Sequence, residues 1–264
     1  MNGLFQEVEV AQMRKEGQGI CGDAFLSRKE PGGRVVSVLA DGLGSGVKAS
    51  ILASMTATMA LKFALAEGGG DFIHCAEIME NALPVCQTRK IGYSTYTIVD
   101  CLADGSGRAI EQGNPAFLFV RGGELLEMPR RPLSPRRAEG VRRIWFYEFE
   151  TRPGDRILFF SDGITEAGLG TARHPLGWRR EGCAAFVLER VRREPDLSAR
   201  HICAEVLREA SHREPGWRAG DDMTCAAIYF RRPRQALVLT GPPFDRTRDR
   251  EYAERLATYP GKKI

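Results

Sequence analysis

Aspartates next to glycines are the residues of this sequence whose type and spacing best suit chemistry. Each also follows or precedes a run of apolar residues, and the set comprises Asp23, Asp41, Asp162 and the pair Asp221-Asp222. Carboxylates at strand ends converge easily when the strands are neighbours. Clustered carboxylates repel one another unless a cation neutralises them. The pattern therefore predicts a site for hard divalent ions with oxygen ligands.

The segment from Val36 to Ser50 shows this pattern most clearly. Apolar residues lead into Asp41-Gly42, glycines recur at positions 44 and 46, and a proline-free run rich in Ala, Leu, Met and Thr follows. We predict a buried strand that ends on Asp41, a tight glycine turn and a long helix over 47–67. Glycine lets the backbone come close to a cation that the neighbouring carboxylate holds.

Plain turns and phosphate-binding loops compete with a metal site as interpretations of these motifs. A single Asp-Gly pair is usually a turn, and we interpret Asp104 and Asp155 as plain turn residues. The glycines after Asp41 have the spacing of neither a P-loop nor a dinucleotide-binding loop. An aspartyl-phosphate enzyme needs a second aspartate two residues after its nucleophile, but Ile164 occupies that position after Asp162. The four histidines show no ligand spacing.

The elements that must position these aspartates are segregated along the chain. Strands are predicted at 4–13, 20–27 (with Asp23 in mid-strand), 34–40, 93–102, 108–112, 116–120, 124–128, 141–150, 156–161 and 223–230. Helices are predicted at 47–67, 72–86, 180–193 and 197–211, and a surface loop at 129–140. Segregated elements indicate an α+β fold in which helices flank antiparallel sheets.

Residues 232–264 do not continue this pattern. A short basic linker leads to a predicted strand at 236–240, a turn at Gly241 and a helix at 248–258. A β-turn-α unit of this size has no partner for its faces within itself. We therefore predict one domain over 1–231. Residues 232–264 would form a linker and a β-α unit that is an appendage or the start of a second domain.

The composition excludes several classes of protein. Hydrophobic residues make up 43% and charged residues 27% of the 264 positions, as in ordinary globular proteins. The net charge of +4 does not indicate a nucleic-acid partner. The seven cysteines include no C-x-x-C pair, which fits a reducing compartment better than a disulfide framework. There is no signal-peptide pattern and no long apolar run, so we expect a cytoplasmic protein without a membrane partner.

Five short motifs occur together in an order that is typical of one known family. They are Gly22-Asp23, Asp41-Gly42-Leu43-Gly44-Ser45-Gly46 with Lys48-Ala49-Ser50, Gly113-Asn114-Pro115, Phe160-Ser161-Asp162-Gly163-Ile164-Thr165-Glu166 and Gly220-Asp221-Asp222-Met223-Thr224. Over residues 4–231 the set resembles the PPM family of metal-dependent protein serine/threonine phosphatases, in its bacterial SpoIIE-like branch.

This resemblance implies an αββα sandwich of two antiparallel sheets, with two divalent ions, Mn²⁺ or Mg²⁺, between the sheets. By motif position Asp41 would bridge both ions and Gly42 would offer its backbone carbonyl. Asp162 and Asp221 would hold one ion, and Asp23 would serve the other. The implied metal ligands are thus Asp23, Asp41, Gly42, Asp162, Asp221 and, in a supporting role, Asp222; Asp23 and Asp41 are also the implied catalytic residues.

The resemblance also implies a reaction and a substrate. The two ions would lower the pKa of a shared water, supply hydroxide, and offset phosphoryl charge during in-line attack. The substrate would be a phosphoserine or phosphothreonine on a regulatory protein, such as an anti-sigma-factor antagonist. Arg14 and Lys15 lie near the region where relatives hold phosphate. Their spacing to Asp23 does not match, so we leave both outside the predicted site.

Two alternative functions stay open on the sequence. A PPM fold could serve as a non-catalytic module that binds a partner, although such a module has no physical reason to keep clustered carboxylates. A nucleotide-binding protein that uses the glycine-rich turn is a weaker third hypothesis. The sequence indicates no oligomeric state.

Overall fold

The structure is a computed structural model, which describes residues 4–66, 94–133 and 144–232 together with residues 74, 76, 78, 79, 85, 86, 91 and 92. The strands are β1 (Phe5–Met13), β2 (Asp23–Lys29), β3 (Val35–Gly42), β4 (Val85–Cys86), β5 (Ile91–Gly92), β6 (Ser94–Cys101), β7 (Ser106–Gln112), β8 (Leu118–Arg121), β9 (Glu124–Leu126), β10 (Arg130–Leu133), β11 (Ile144–Glu150), β12 (Arg156–Phe160) and β13 (Met223–Arg231). The helices are α1 (Gly46–Ala64), α2 (Asp162–Thr165), α3 (Arg179–Arg193) and α4 (Ala199–Arg213), and a 3₁₀ turn spans Pro215–Trp217.

Two antiparallel sheets form the centre of the fold. The five-stranded sheet has the order β1-β13-β12-β8-β9, and the six-stranded sheet has the order β10-β11-β7-β6-β3-β2. The strands β4 and β5 pair only with each other among the described residues. The chain leaves the five-stranded sheet twice, for β2 to β7 and for β10 and β11, so residues far apart in sequence meet in the five-stranded sheet.

The alternation of side chains along each strand separates three layers of core. In β3, Val36, Val38 and Ala40 belong to the core beneath α1, whereas Leu39 belongs to the core between the two sheets. In β12, Phe159 faces the other sheet and Phe160 faces the helices. Because successive side chains of a strand point to opposite faces, Asp41 lies on the inner face with Leu39.

Helix α1 covers the outer face of the six-stranded sheet. Its buried positions recur at helical spacing and are mostly alanine, which lets the helix backbone lie close to β3 and β2: Ala49, Ala53, Thr56, Ala57, Ala60 and Ala64. Good helix formers without proline explain why this segment is helical. The close approach fixes the turn before the helix, residues 43–45, directly after Asp41-Gly42.

Helices α3 and α4 cover the outer face of the five-stranded sheet. Their buried side chains include Val187, Val191, Ile202 and Val206, which pack with Leu158 and other residues of the sheet. Ser198 caps α4 by accepting a hydrogen bond from the backbone N–H of His201 at 3.2 Å. The four layers are therefore helix, sheet, sheet, helix, as predicted.

Three predictions about elements were wrong. Asp23 is the first residue of β2 and not a mid-strand residue, because pairing with β3 begins at Asp23 opposite Asp41. Residues 130–133 of the predicted surface loop form β10, which pairs with β11; tertiary pairing overrides an Arg/Pro-rich composition. The predicted helix over 72–86 is helical at residues 74, 76, 78 and 79, but it does not reach its predicted end, because Val85–Cys86 is a strand.

Several predictions fall on residues outside the described part of the chain. Residues 134–140 of the predicted loop and the predicted β-α unit at 232–264, apart from Arg232, are among them. The division of the chain at 231 therefore stays a prediction. No helix among the described residues is long and apolar enough to cross a membrane.

Candidate metal centre

Asp41 and Asp23 lie directly opposite each other on β3 and β2. The backbone N–H of Gly42 donates to the carbonyl of Gly22 at 3.2 Å, so the ladder between the two strands closes at this point. Both carboxylates lie on the face that meets the other sheet, since Asp41 shares the inner face of β3 with Leu39. The prediction that Asp41 stands at a strand end is confirmed, with Gly42 as the last strand residue.

The five-stranded sheet holds Asp23 through two hydroxyl groups. Ser161, directly after β12, donates from Oγ to Asp23 Oδ2 at 2.7 Å, and Thr224 of β13 donates from Oγ1 to the same oxygen at 2.6 Å. The backbone N–H of Thr224 donates to Ser161 Oγ at 2.9 Å. Asp23 Oδ1 is buried and has no hydrogen-bond partner among the described residues. The two sheets are thus tied together at Asp23, with one of its oxygens left for another ligand.

Asp222 shows the same division between its two oxygens. Its Oδ1 accepts a hydrogen bond from the backbone N–H of Lys15 at 2.9 Å, whereas its Oδ2 is buried without a partner in the described residues. Asp221 Oδ1 accepts from the backbone N–H of Asp222 at 2.9 Å. The ammonium of Lys15 lies 3.8 Å from the same oxygen of Asp221. Lys15 therefore braces the Asp221-Asp222 turn from the end of β1.

Glycines bring the backbone close to the aspartates where any side chain would collide. A Cβ on Gly42 would lie 2.0 Å from the carbonyl oxygen of Ala49 in α1. A Cβ on Gly163 would lie 2.1 Å from the carbonyl oxygen of Asp222. These two contacts fix α1 against β3 and α2 against the turn before β13. Glycine at these positions is required by space, since neither residue has a positive φ.

The carboxylates raise one another's pKa. Burial, followed by the charges of Asp23 and Asp162 and a hydrogen bond with Asp162, raises the pKa of Asp41 to about 9. Burial raises the pKa of Asp23 to about 7 against the lowering effect of the Thr224 and Ser161 hydroxyls. Burial also raises the pKa of Asp221, as do the nearby charges of Asp162 and Asp222. Negative charge on these carboxylates is therefore costly when no cation is bound.

These observations fit a divalent cation. Buried carboxylate oxygens without partners are rare in folded proteins and call for a ligand, and Asp23 and Asp222 each present one. A cation would also counter the burial and the repulsion that raise the pKa of Asp41. Within the described residues, no group of three or more His, Cys, Asp or Glu side chains is arranged to hold an ion unaided. An ion at this point would take part of its coordination from water or backbone carbonyls, as Mg²⁺ usually does.

The structure brings the predicted residues to one place. Asp41 lies within range of the charges of Asp23, Asp162 and Asp221. Asp222 reaches the same cluster from the start of β13, where its side chain would meet a Cβ on Gly22 at 2.7 Å. The individual role of each as a ligand stays a prediction.

Sequence reasoning missed two residues that support this cluster, and it left a third, Lys15, outside the predicted site. The hydroxyls of Ser161 and Thr224 hold Asp23, and Lys15 contacts Asp221 and Asp222. Ser161 stands beside Asp162 in its motif, and alternation on β12 would have placed Ser161 on the inner face with Phe159. The role of Ser161 could therefore have been predicted from the sequence. No local signal reveals Lys15, because its contact depends on the pairing of β1 with β13.

Asn114 links the Gly-Asn-Pro motif to the cluster. Its side-chain amide donates to Thr97 Oγ1 at 3.1 Å, and its Oδ1 accepts a hydrogen bond from Thr95 Oγ1. Thr95 lies opposite Asp41 in the pairing of β6 with β3. The motif therefore lies next to the aspartates across the sheet.

Two antiparallel sheets between helical layers, with an aspartate cluster between their facing surfaces, are the arrangement of PP2C-type protein phosphatases. The sequence family described as Stage II sporulation protein E (SpoIIE) matches residues 31–231, and the chain belongs to this family of PP2C-type serine/threonine phosphatases. The predicted family, fold class and enzyme class are confirmed. A search of curated proteins found no match.

Solved structures show the same fold at low sequence identity. The PP2C phosphatase domain of SpoIIE from Bacillus subtilis, with a fragment of its regulatory domain, is 19% identical with a TM-score of 0.66; the match covers 88% of this chain and 63% of that chain. The RsbU and RsbW domains of a Mycobacterium tuberculosis protein are 20% identical with a TM-score of 0.65, covering 88% and 62%. RsbX in complex with magnesium is 19% identical with a TM-score of 0.56, covering 85% and 95%. The chain thus spans less than two thirds of the first two proteins' length. Members of the PP2C family depend on metal ions.

Proposed function

We propose that this protein hydrolyses phosphoserine or phosphothreonine on a regulatory protein, with two divalent ions, Mn²⁺ or Mg²⁺, at the aspartate cluster. The observation that carries the proposal is the convergence of Asp23, Asp41, Asp162 and Asp221 between the sheets of a PP2C-type fold. When bound, the ions would supply an activated water and positive charge opposite the phosphoryl oxygens.

The chain's own residues have separate tasks in this proposal. Asp41 stands between the aspartates of both sheets, which suits a carboxylate shared by two ions. Gly42 offers its carbonyl next to it, and α1 packed on Gly42 holds that backbone in place. Asp162 and Asp221 approach from the five-stranded sheet and would hold one ion. Asp23 would serve the other through the oxygen that its two hydroxyl partners leave unbonded, and Asp222 would support this side of the cluster.

Hydrolysis of p-nitrophenyl phosphate tests the activity directly. We expect turnover in Mn²⁺ or Mg²⁺ and none in excess chelator. Asp41→Ala should lower kcat/KM by at least about a hundredfold, because the variant loses the carboxylate that faces both sheets. Asp104→Ala is the matched control, since Asp104 is a turn residue that accepts hydrogen bonds from Ser106. A wild-type protein that is inactive in both metals yet binds a partner would show a non-catalytic module instead.

The substrate class is proposed from relatives. The similar structures include the cell-fate determinant SpoIIE and a protein of the bacterial stressosome. We infer that the substrate of this chain is a small phosphorylated regulator, such as an anti-sigma-factor antagonist. Release of phosphate from such proteins, phosphorylated in vitro, should depend on Asp41 as hydrolysis of p-nitrophenyl phosphate does. Activity on p-nitrophenyl phosphate but on none of the phosphoproteins would overturn the substrate proposal and leave the catalytic one intact.

A further inference from the structure

A second concave site lies at the other end of β12 from the aspartate cluster. Arg156 begins β12, whereas Asp162 follows its end. The cleft has a volume of about 600 Å³ and is lined by the turn between β8 and β9, the turn before β12 and the end of α3. Its charged lining residues are Arg121, Arg152, Arg156, Arg192, Asp155 and Asp196. We call it the arginine cleft.

One of the two aspartates is already neutralised. Arg121 donates to both carboxylate oxygens of Asp155, from Nε at 2.9 Å and from Nη2 at 2.7 Å. The backbone N–H of Arg152 donates to the same carboxylate at 2.7 Å. This fork geometry satisfies Asp155. Three guanidinium groups and one carboxylate, Asp196, remain in the cleft.

Arg156 is a buried cation without an ion pair. Its side chain is 2% exposed, and among the described residues no carboxylate forms a salt bridge with it. Nη2 donates to the carbonyls of Pro195 at 2.6 Å and Leu197 at 2.9 Å, and the guanidinium stacks on Tyr229 at 3.7 Å from the ring centroid. Its Nε has no acceptor among the described residues. The charge of Asp196 lies within range of Arg156 but forms no salt bridge with it. Because burying a charge is costly, an anion in the cleft would offset more of that cost.

The mouth of the cleft carries two guanidinium groups on its rim. Arg192 is held in place by donating from Nε to the carbonyl of Gly123 at 2.8 Å, which leaves its Nη groups free to bind. Arg152 is exposed on the opposite turn. Neither forms an ion pair with a described residue. Exposed arginines around a concave surface concentrate anions.

We propose that the arginine cleft binds a small phosphate-bearing anion. The guanidinium groups of Arg152 and Arg192 would contact the phosphate oxygens at the mouth, and the buried charge of Arg156 would attract the anion from behind. Guanidinium forks match phosphate geometry, and the volume lies within the range of small-ligand sites. The site is separate from the aspartate cluster, so the inference does not depend on the proposed function.

Binding of pyrophosphate to the metal-free protein tests the proposal. Chelator prevents binding through metal ions at the aspartate cluster, and constant ionic strength keeps electrostatic screening the same in every titration. By calorimetry we expect one site in the wild type. The double variant Arg152→Gln/Arg192→Gln should weaken binding at least tenfold. The matched control is Arg173→Gln/Arg218→Gln, which removes the same charge from exposed positions outside the cleft and should bind like the wild type.

The outcomes separate the alternatives. Absence of pyrophosphate binding in the wild type would overturn the proposal and leave Arg156 as a structural residue satisfied by carbonyls. Equal weakening in both double variants would also overturn it, because binding would then follow net charge alone. A titration with citrate at the same ionic strength tests whether the cleft prefers a carboxylate ligand to a phosphate ligand. Tighter binding of citrate than pyrophosphate would overturn the assignment of the ligand to the phosphate class.

Discussion

At the scale of single residues, the aspartate cluster depends on side chains that bind the aspartates and are not themselves predicted metal ligands. Asp23 is a metal ligand in our proposal because Ser161 and Thr224 occupy one of its oxygens and leave the other free. Outer partners of this kind orient a metal ligand and tune its affinity. The hydroxyls therefore act as positioning residues.

Removing these hydroxyls should weaken metal binding. We expect Ser161→Ala and Thr224→Val each to reduce Mn²⁺ affinity by about tenfold, within the range known for outer partners of metal ligands. Calorimetric titration with Mn²⁺ in the absence of substrate measures this effect apart from catalysis. Ser27→Ala is the control, because its hydroxyl pairs with Ser37 at 2.9 Å in the six-stranded sheet. Unchanged affinity in both site variants would show that Asp23 needs no positioning.

A buried glutamate between the sheets should make stability depend on pH. Glu111 is 2% exposed and accepts hydrogen bonds from Tyr147 Oη at 2.5 Å and from the backbone N–H of Phe117 at 2.9 Å. Burial raises the pKa of Glu111 to about 7, against the lowering effects of Tyr147 and the Phe117 N–H. Since the folded pKa exceeds the unfolded value, the neutral form stabilises the fold at low pH. That contribution is lost as the pH rises from about 4.5 to about 7.

Glu111→Gln should remove this dependence. The amide stays neutral at all pH values, so the free energy of unfolding of the variant should fall less than that of the wild type between about pH 5 and about pH 8. The difference is at most about 3 kcal/mol by linkage. Urea unfolding of the metal-free proteins across this pH range gives the measurement. Parallel pH profiles for wild type and variant would contradict a raised pKa at Glu111.

At the scale of elements, two close contacts of glycine align the helices with the cluster. The added methyl group of Gly163→Ala would meet the carbonyl oxygen of Asp222 at 2.1 Å, so α2 and the Asp222 turn would have to separate. We expect a loss of about 1–3 kcal/mol in the free energy of unfolding, and weaker Mn²⁺ binding because Asp162 and Asp222 move apart.

The control for this prediction is Gly32→Ala. Gly32 has no atom within 4 Å of an added Cβ and lies in an exposed turn. Urea unfolding and Mn²⁺ titration of the two variants compare the same chemical change with and without a collision. If Gly163→Ala were as stable as Gly32→Ala and bound Mn²⁺ as well, the contact would have no role in the site.

Most elements could be predicted because their residues repeat at the period of a strand or helix. The strand that leads to Asp41 and the long helix after it follow from local pattern alone. The start of β2 could not be predicted in this way, because it is set by where β3 offers a partner for Asp23. The strand β10 was missed for the same reason. Its arginines and Pro132 are typical of a loop, and only the pairing with β11 makes them a strand.

The residues of the site also divide into those that local sequence predicts and those that depend on the pairing of distant strands. The aspartates could be predicted as a group because each stands beside a glycine at the end of an apolar run. Their hydroxyl and backbone partners depend on which faces of two sheets meet, and no short window of sequence contains that information. Lys15 is the clearest example, since its contact with Asp222 spans 207 positions of the chain.

At the scale of the whole molecule, the last strand of the described residues has a partner strand on each side. The last strand, β13, pairs with β1 on one side and β12 on the other, so its hydrogen bonds are complete within residues 5–231. We therefore expect a protein that ends after Arg232 to unfold cooperatively and to show the proposed metal-dependent hydrolysis of p-nitrophenyl phosphate. Circular dichroism melting curves and the activity assay check both expectations.

A protein that ends after Asp222 provides the opposite case. It keeps the predicted aspartate ligands in its sequence but lacks β13, and with it the strand between β1 and β12. We expect no cooperative unfolding and no activity from it. If the protein ending after Arg232 were equally unfolded, the predicted domain boundary at 231 would be wrong.

The pairing of β1 with β13 has a consequence for synthesis in the cell. Phe5 lies opposite Arg231, and Thr224 reaches back 201 positions to Asp23. Long-range pairing of this kind forms late, because the chain loses the entropy of closing a long loop before the contacts between the two strands stabilise it. During translation, β1 therefore emerges from the ribosome long before its partner strand exists. Asp23 gains its hydrogen bond from Thr224 only after that strand arrives, so we expect a nascent chain to have no phosphatase activity until the last strand of the domain has left the exit tunnel.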